Sequence, residues 1–253
     1  MTKHYLIHIQ FLGFRYSGWM LQPKVKTVQG MVNKTFEFMY PNVDYKTFGT
    51  GRTDAKVSAN RFGFQLSIAA ELPDNFIDIF NANLPSDIRA LDFSEIPPNQ
   101  NPLEGISEKY YIYLFSFGGK AHPFSANLVY NEFGTLDIDI MKLGAKLFEG
   151  THNFKKYCTK PSEQTKFLRT ISYCEINRDS PYQANFFPDN LWCLHIKSQG
   201  FMRYQIRLIM GQLLALGRGD MTLEDITYSL NPKDNKPLRH NAVGSGLILK
   251  DIV

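Results

Sequence analysis

The stretch Gly49-Thr50-Gly51-Arg52-Thr53-Asp54-Ala55-Lys56-Val57-Ser58-Ala59 sets one acid beside a base in a polar, glycine-rich run between two segments that read as strands. A carboxylate such as Asp54 can act as a nucleophile, as a general base, or as a stabiliser of developing positive charge. Glycine tolerates backbone angles that a Cβ forbids, so Gly-Thr-Gly suits a tight connection. Loops fixed on a scaffold are where functional carboxylates tend to be found. Asp and Thr are also ordinary turn residues. Residue type alone therefore leaves a solvated turn and a catalytic loop both open.

The flanking segments must position this loop. Tyr5, Ile7, Ile9 and Phe11 alternate with His4, His8 and Gln10, the two-residue period of a half-buried strand. A glycine-punctuated aromatic loop follows, from Phe11 to Trp19. Thr27 is placed to cap a helix carrying Val28, Met31, Val32, Thr35, Phe36 and Met39 at helical spacing, ended by Pro41. Phe62, Phe64, Leu66 and Ile68 alternate, so the Asp54 loop should join two strands of one sheet. Pro73-Asp74 opens a second helix with Phe76, Ile79 and Phe80 on one side, and another strand runs through Phe93.

Ile96-Pro97-Pro98-Asn99-Gln100-Asn101-Pro102 is the best boundary in the chain, dividing it into domains 1–103 and 104–253. The second half repeats the theme. Tyr111, Tyr113, Phe115 and Phe117 share one strand face, and Ile140, Leu143, Gly144, Leu147 and Phe148 mark a helix. Strands are expected over Arg169–Ile176 and Leu191–Lys197. A long helix carries Ile206 to Gly217, and Thr222 to Asp225 reads as a capping box. Leu247 to Lys250 closes the chain as a strand. Strands interleaved with helices in both halves give an α+β fold, with two α/β domains built on antiparallel sheets and flanking helices.

At 253 residues, 43% apolar and 21% charged, the chain has globular proportions. Its net charge of +4 is compatible with a polyanionic partner without locating a patch. Cys158, Cys174 and Cys193 are odd in number and widely spaced, which fits a reducing cytoplasm rather than a disulfide framework. The N-terminus lacks the apolar core of a signal peptide, and no run is long enough to span a membrane. There is no Gly-x-Gly-x-x-Gly, no phosphate-loop Gly-Lys-Ser/Thr, no His-Glu-x-x-His and no metal-type cluster, so a small-molecule α/β enzyme finds little support and no metal is expected.

Longer patterns narrow the reading. Gly51-Arg52-Thr53-Asp54-Ala55 with Val57 and Ala59 resembles the signature Gly-Arg-Thr-Asp-Ala-Gly-Val-His-Ala of the TruA-type tRNA pseudouridine synthases. Tyr16-Ser17-Gly18-Trp19 with Gln22 and Thr27-Val28-Gln29 is similar to that family's N-terminal block. So are Asn81-Ala82-Asn83-Leu84-Pro85 with Asp87-Ile88, and Lys109-Tyr110-Tyr111-Ile112-Tyr113. In the second half Gly150-Thr151-His152-Asn153-Phe154, Arg169-Thr170-Ile171, Phe201 to Arg207 with Gly211, Gly217-Arg218-Gly219 and Gly246-Leu247-Ile248-Leu249 match in the same order.

The resemblance implies two α/β domains facing across a basic cleft, commonly as a homodimer, acting on tRNA. The implied reaction breaks the N-glycosidic bond of uridine, turns the base and rejoins it through carbon. It is an isomerisation and requires no redox or group-carrying cofactor. Asp54 matches the catalytic aspartate, Arg207 the arginine that pairs with it, and Tyr111 the tyrosine that stacks on the target base. Leu247 is a candidate wall of the uracil pocket. Arg52 matches an arginine that holds the flipped nucleotide or grips phosphate. Arg15, Lys24, Lys26, Lys56, Arg203 and Arg218 are candidate phosphate contacts, each also readable as ordinary solvated charge.

Some positions depart from the family pattern. Lys56 stands where Gly is usual, and Ser58 where His is common. Gln100-Asn101-Pro102-Leu103 replaces Phe-x-Ala-Arg, and Leu12 and Met20 replace an Asp and a Gln. An ordinary backbone at Lys56 is the expectation, since positive φ there would strain a lysine. The family's usual targets are uridines at positions 38–40 of the anticodon stem-loop. The departures keep two alternatives open: a pseudouridine synthase acting on another RNA or site, and a catalytically silent RNA-binding or chaperone homologue.

Overall fold

Alternation in the first strand decides how the N-terminal part is layered. In β1 (Lys3–Phe11) Tyr5, Ile7, Ile9 and Phe11 are buried, while His4, His8 and Gln10 lie on the polar face. The computed structural model describes residues 2–98, 100, 107–231, 238 and 240–252. Asn99 and residues 101–106 lie outside the described residues. They hold Asn99, Asn101 and Pro102 of the expected boundary and the positions Asn101, Pro102 and Leu103 of the Phe-x-Ala-Arg departure. The chain divides into two units, Met1–Ser107 with Leu249–Val253, and Glu108–Ile248.

In the first unit β1 pairs antiparallel with β3 (Ser58–Ile68) and with β4 (Ile88–Glu95), and β2 (Tyr45–Gly49) pairs with the far end of β3. Two helices cover the apolar face. In α1 (Val28–Met39) the Thr27 hydroxyl accepts from the Gly30 N–H at 3.1 Å, as a Thr cap should. Phe36 of α1 meets Phe76 and Phe80 of α2 (Phe76–Asn83), with ring centroids 6.1 and 4.8 Å apart. The second helix begins at Phe76, after a turn in which its N–H donates to Pro73. Ile79, expected on its buried side, is 38% exposed, because Phe76 and Phe80 fill the contact with α1 by themselves. On the polar face Asp92 binds both His8 and Arg61, at 2.6 and 3.0 Å.

The second unit is built on β5 (Lys109–Phe117), with β6 (Tyr130–Glu132), α3 (Ile138–Lys146), β7 (Gly150–Asn153), β8 (Leu168–Ile171), β9 (Tyr173–Asn177), β10 (Trp192–Ser198), α4 (Gln205–Gly217), α5 (Leu223–Leu230) and the first two residues of β11 (Leu247–Ile252), whose remainder belongs to the first unit. β10 lies between β5 and β9, antiparallel to both, and β6 pairs with β5 in parallel over three residues. The strand expected over Arg169–Ile176 is broken. At Ser172 the N–H turns to the Lys197 carbonyl, so that β8 pairs with β7 in a separate ladder while β9 joins β10.

α3 uses a different face from the one its large apolar residues indicate. Met141, Gly144 and Ala145 are buried, and Leu143 is 61% exposed. Small residues allow close approach to α4, where a Cβ on Gly144 would come within 2.4 Å of Leu216. α5 opens with the expected capping box, in which the Thr222 N–H donates to Asp225 and the Asp225 N–H donates to the Thr222 hydroxyl.

Burial pushes the phenols of Tyr110 and Tyr130 up to about 12, and it raises those of Tyr113 and Tyr157 as well. The folded state keeps these protons while the unfolded chain loses them near pH 10, so stability falls as pH rises above about 10. An alkaline titration should show a fraction of the 13 tyrosines ionising late, together with loss of near-ultraviolet circular dichroism. Ionisation of every tyrosine near pH 10 with the dichroism intact would contradict this account of the core.

Candidate active site

Asp54 opens a four-residue turn. Its carbonyl accepts the Val57 N–H at 3.2 Å, and Lys56, the third residue, has φ +67°. Positive φ at that position alone is the arrangement of a type II turn, which favours glycine there. The expectation of an ordinary backbone at Lys56 is thus corrected, and the lysine occupies the left-handed region at a cost of about 1–2 kcal/mol. Two contacts hold it there. Its N–H donates to the Tyr16 carbonyl at 2.9 Å, and its ammonium lies 5.4 Å from the centre of the Phe14 ring.

The loop Leu12–Trp19 is what fixes this turn. The Trp19 N–H donates to the Thr53 carbonyl at 3.3 Å, and the Gly13 N–H donates to the Ser58 hydroxyl at 2.9 Å. Ser58, where the family pattern commonly has His, is buried and serves as a staple between loop and strand. Backbone meets backbone so closely that a Cβ would not fit. One on Gly18, whose φ is +94°, would sit 2.3 Å from the Thr53 oxygen, and one on Gly13 would sit 1.9 Å from the Val57 oxygen. At its other side the loop is tied to Asp87. This carboxylate accepts from the Tyr16 hydroxyl at 2.7 Å and from Arg15 Nε at 2.8 Å, and the Asp87 carbonyl accepts the Leu12 N–H. Asp54 itself is half-buried, Thr53 is buried, and Arg52 is exposed with no ion pair among the described residues.

In the second unit α4 is buried all round, as a core helix is. Arg207 is the one residue of its 13 that is not fully buried. Its Nε donates to the Ala242 carbonyl at 2.7 Å, its own carbonyl accepts the Ala242 N–H at 3.0 Å, and its guanidinium lies 4.4 Å from the centre of the Tyr204 ring. A guanidinium held through Nε can turn its terminal amino groups to a carboxylate or phosphate. Tyr204, just before the helix, has φ +64°, and such strained residues cluster at functional sites. The side-chain amide of Gln205 accepts from the Met202 N–H at 2.8 Å, while its buried Nε2 has no partner among the described residues.

Tyr111 lies half-buried on β5, edge-on to Phe201 at 5.5 Å. Tyr113, two residues on, is fully buried, and its hydroxyl donates to the Val243 carbonyl at 2.9 Å. Its ring lies under Gly246, where a Cβ would come within 2.7 Å. Leu247 follows and is buried. The segment 242–247 therefore ties Arg207 on α4 to Tyr113 on β5 and brings Leu247 to the same part of the unit. Sequence reasoning did not single out Tyr204, Tyr113 or Lys109 for this neighbourhood. For Lys109 the signal was its place in Lys-x-Tyr-x-Tyr, and burial drives its ammonium pKa down.

The candidate phosphate contacts separate into two kinds. Arg15 is paired with Asp87, and Arg218 with Glu132 and Asp220. Lys24, Lys26 and Arg203 are exposed, with Lys26 over the Tyr16 ring. Among the described residues no group of three or more His, Cys, Asp or Glu could hold a metal, and no helix is long and apolar enough to cross a membrane.

A sequence family described as tRNA pseudouridine synthase matches residues 145–253. The tRNA pseudouridine synthase A of Exiguobacterium sibiricum is 30% identical over 251 residues, covering 96% of this chain and 94% of that protein. The chain belongs to the tRNA pseudouridine synthase family. Proteins of the same name from Listeria welshimeri, at 30% identity, and from Geobacillus sp. strain WCH70, at 28%, are covered over 93% and 97% of their lengths. Membership thus extends over both units, including the part that carries the Asp54 turn.

Two substitutions probe that turn. Lys56→Gly relieves the left-handed backbone but loosens the unfolded chain, so a net gain of up to about 1 kcal/mol is expected from urea unfolding. Gly18→Ala should lose about 1–3 kcal/mol or more, because backbone cannot yield as a side chain can. Equal stability of the Gly18→Ala variant and wild type would refute the close packing of loop on turn.

Proposed function

We propose that this protein isomerises uridine to pseudouridine in tRNA, with Asp54 as the catalytic carboxylate. The observation that carries the reading is a half-buried acid at the head of a turn locked by backbone contacts, in a chain of the tRNA pseudouridine synthase family. In the reaction the C1′–N1 bond breaks, the uracil turns, C1′–C5 forms, and the proton on C5 is lost as N1 gains one. Asp54 serves as nucleophile toward sugar or base, or as base at C2′, and steadies positive charge at C1′.

Arg207 is proposed to pair with Asp54 and keep it ionised. Its pinning through Nε and its singular position on α4 support that role. Tyr111 is proposed to stack on the flipped base, a mode every base can satisfy through its π-face, with Leu247 as an apolar wall. Extrusion of a base costs a few kcal/mol, and the exposed Arg52 is suited to hold the flipped state. Lys24, Lys26, Lys56 and Arg203 are proposed phosphate contacts, while Arg15 and Arg218 already have carboxylate partners. We read the two units as an N-terminal domain bearing the carboxylate and a C-terminal domain bearing Tyr111 and Arg207. Further parts of the proposal are a homodimer in the cytoplasm, with no cofactor, acting on uridines 38–40 of the anticodon stem-loop.

The deciding assay is tritium release from C5-labelled uridine in unmodified tRNA, followed by mapping of the product. Wild type should turn over, and Asp54→Asn should fall to background while binding tRNA about as well. Arg207→Ala should be similarly crippled. Turnover by the Asp54→Asn variant would remove Asp54 from its role. Pseudouridine found outside the anticodon arm, with that arm unchanged, would favour another target, and binding without any turnover a silent homologue.

A further inference from the structure

The segment joining β7 to β8 alternates anchors with cations. Phe154 and Tyr157 are fully buried, packed edge-on against each other at 5.7 Å and, for Tyr157, against Phe148 at 5.5 Å. The Tyr157 hydroxyl bonds that of Ser229 at 2.6 Å. The Phe154 N–H donates to the Phe167 carbonyl, the Thr159 N–H to the Arg203 carbonyl, and a turn over Ser162–Thr165 closes the tip. Lys155, Lys160 and Lys166 are exposed on this anchored arm.

The charge distribution is uneven. Residues 154–169 hold five of the 28 basic residues and one of the 24 acidic ones, a net +4 equal to that of the whole chain. The remaining residues are therefore balanced. Elsewhere several cations are matched to acids, Lys3 to Glu95, Arg61 to Asp92, Lys142 to Asp139, Lys146 to Glu149 and Lys197 to Glu108, and the exposed cations without an ion pair among the described residues, Arg52 among them, are scattered along the chain. On the arm Lys155, Lys160, Lys166 and Arg169 make no ion pair among the described residues. The buried Arg169 Nε has no hydrogen-bond partner there either. Arg203, whose carbonyl receives the arm, adds another exposed cation.

Like charges closer together than the screening length, about 8 Å at physiological salt, repel one another, and a short segment with net +4 has few acids to offset them. A polyanion removes that repulsion and gains by releasing its counterions. We propose that the arm 154–169 is a clamp on the phosphate backbone of the tRNA, with Lys155, Lys160 and Lys166 as its contacts and Arg169 and Arg203 at its base. The proposal deepens the reading of the chain as a tRNA-acting enzyme and rests on it. Such contacts position the RNA and carry no sequence information. They act on binding and leave chemistry at the base alone.

The test replaces Lys155, Lys160 and Lys166 together by Gln and compares an equal change at three exposed lysines elsewhere, Lys34, Lys46 and Lys120. Affinity for an unmodified tRNA transcript is measured across a range of KCl concentrations, alongside KM and kcat. The arm variant should lower the slope of log K against log salt by about 2–3. It should weaken binding tenfold or more at moderate salt and raise KM, with kcat at saturating tRNA within about twofold of wild type. The control variant should keep the wild-type slope. An arm variant with an unchanged slope, or one changed no more than the control, overturns the proposal, provided both melt like wild type. Turnover by wild type in the same samples tests the enzymatic reading separately, since the slopes decide the arm whichever way turnover falls.

Discussion

Backbone against backbone, with no room for a side-chain carbon, is the contact that fixes the turn carrying Asp54 in the first unit. The loop Leu12–Trp19 lies between Asp87 and the Asp54 turn, and Gly13 and Gly18 let it meet Val57 and Thr53 directly. Hydrogen bonds from Trp19, Lys56 and Gly13 then fix the turn from one side. The backbone that carries the Asp54 carboxylate is thereby fixed before any ligand arrives, and the catalytic role proposed for it calls for such preorganisation. Three motif blocks far apart in the chain, around residues 16–19, 51–59 and 81–88, are thereby one physical assembly.

The second unit solves its own problem differently. A helix buried on every side cannot carry a charged side chain into its core without a partner. Arg207 emerges at the single position of α4 that is not sealed, and Ala242 and Tyr204 hold it. The strained start of the helix at Tyr204 and the wedge of Tyr113 beneath Gly246 set the path of the chain around it. Each unit thus sets close-packed glycines and a left-handed residue beside one of the side chains proposed for the site.

Local signals were legible where a local cause decides the outcome. The alternation of β1, the Thr27 cap and the Thr222–Asp225 capping box are properties of a few neighbouring residues, and the structure has them where the residues indicate. Packing partners were not legible. Leu143 looks like a core residue, but the close approach of α3 to α4 selects Gly144 and Ala145 instead. The break at Ser172 depends on a carbonyl of β10 that no reading of residues 169–176 could supply. At the candidate site the acid and its loop could be picked out by type and spacing. The left-handed Lys56 could not, because it is imposed by Tyr16 and Phe14 from another part of the chain.

The division of β11 has a consequence for how the protein is made. Leu249 onward belongs to the first unit, where the Asn60 side chain reaches the Lys250 carbonyl across 190 positions of sequence. Contacts so distant in sequence close late and slow the search for the native state. A ribosome releasing the chain from its N-terminus would therefore expose a first unit still missing a strand during the whole synthesis of the second. The part of β3 that pairs with β11 rather than with β2 would then stand open to stray pairing until β11 is made.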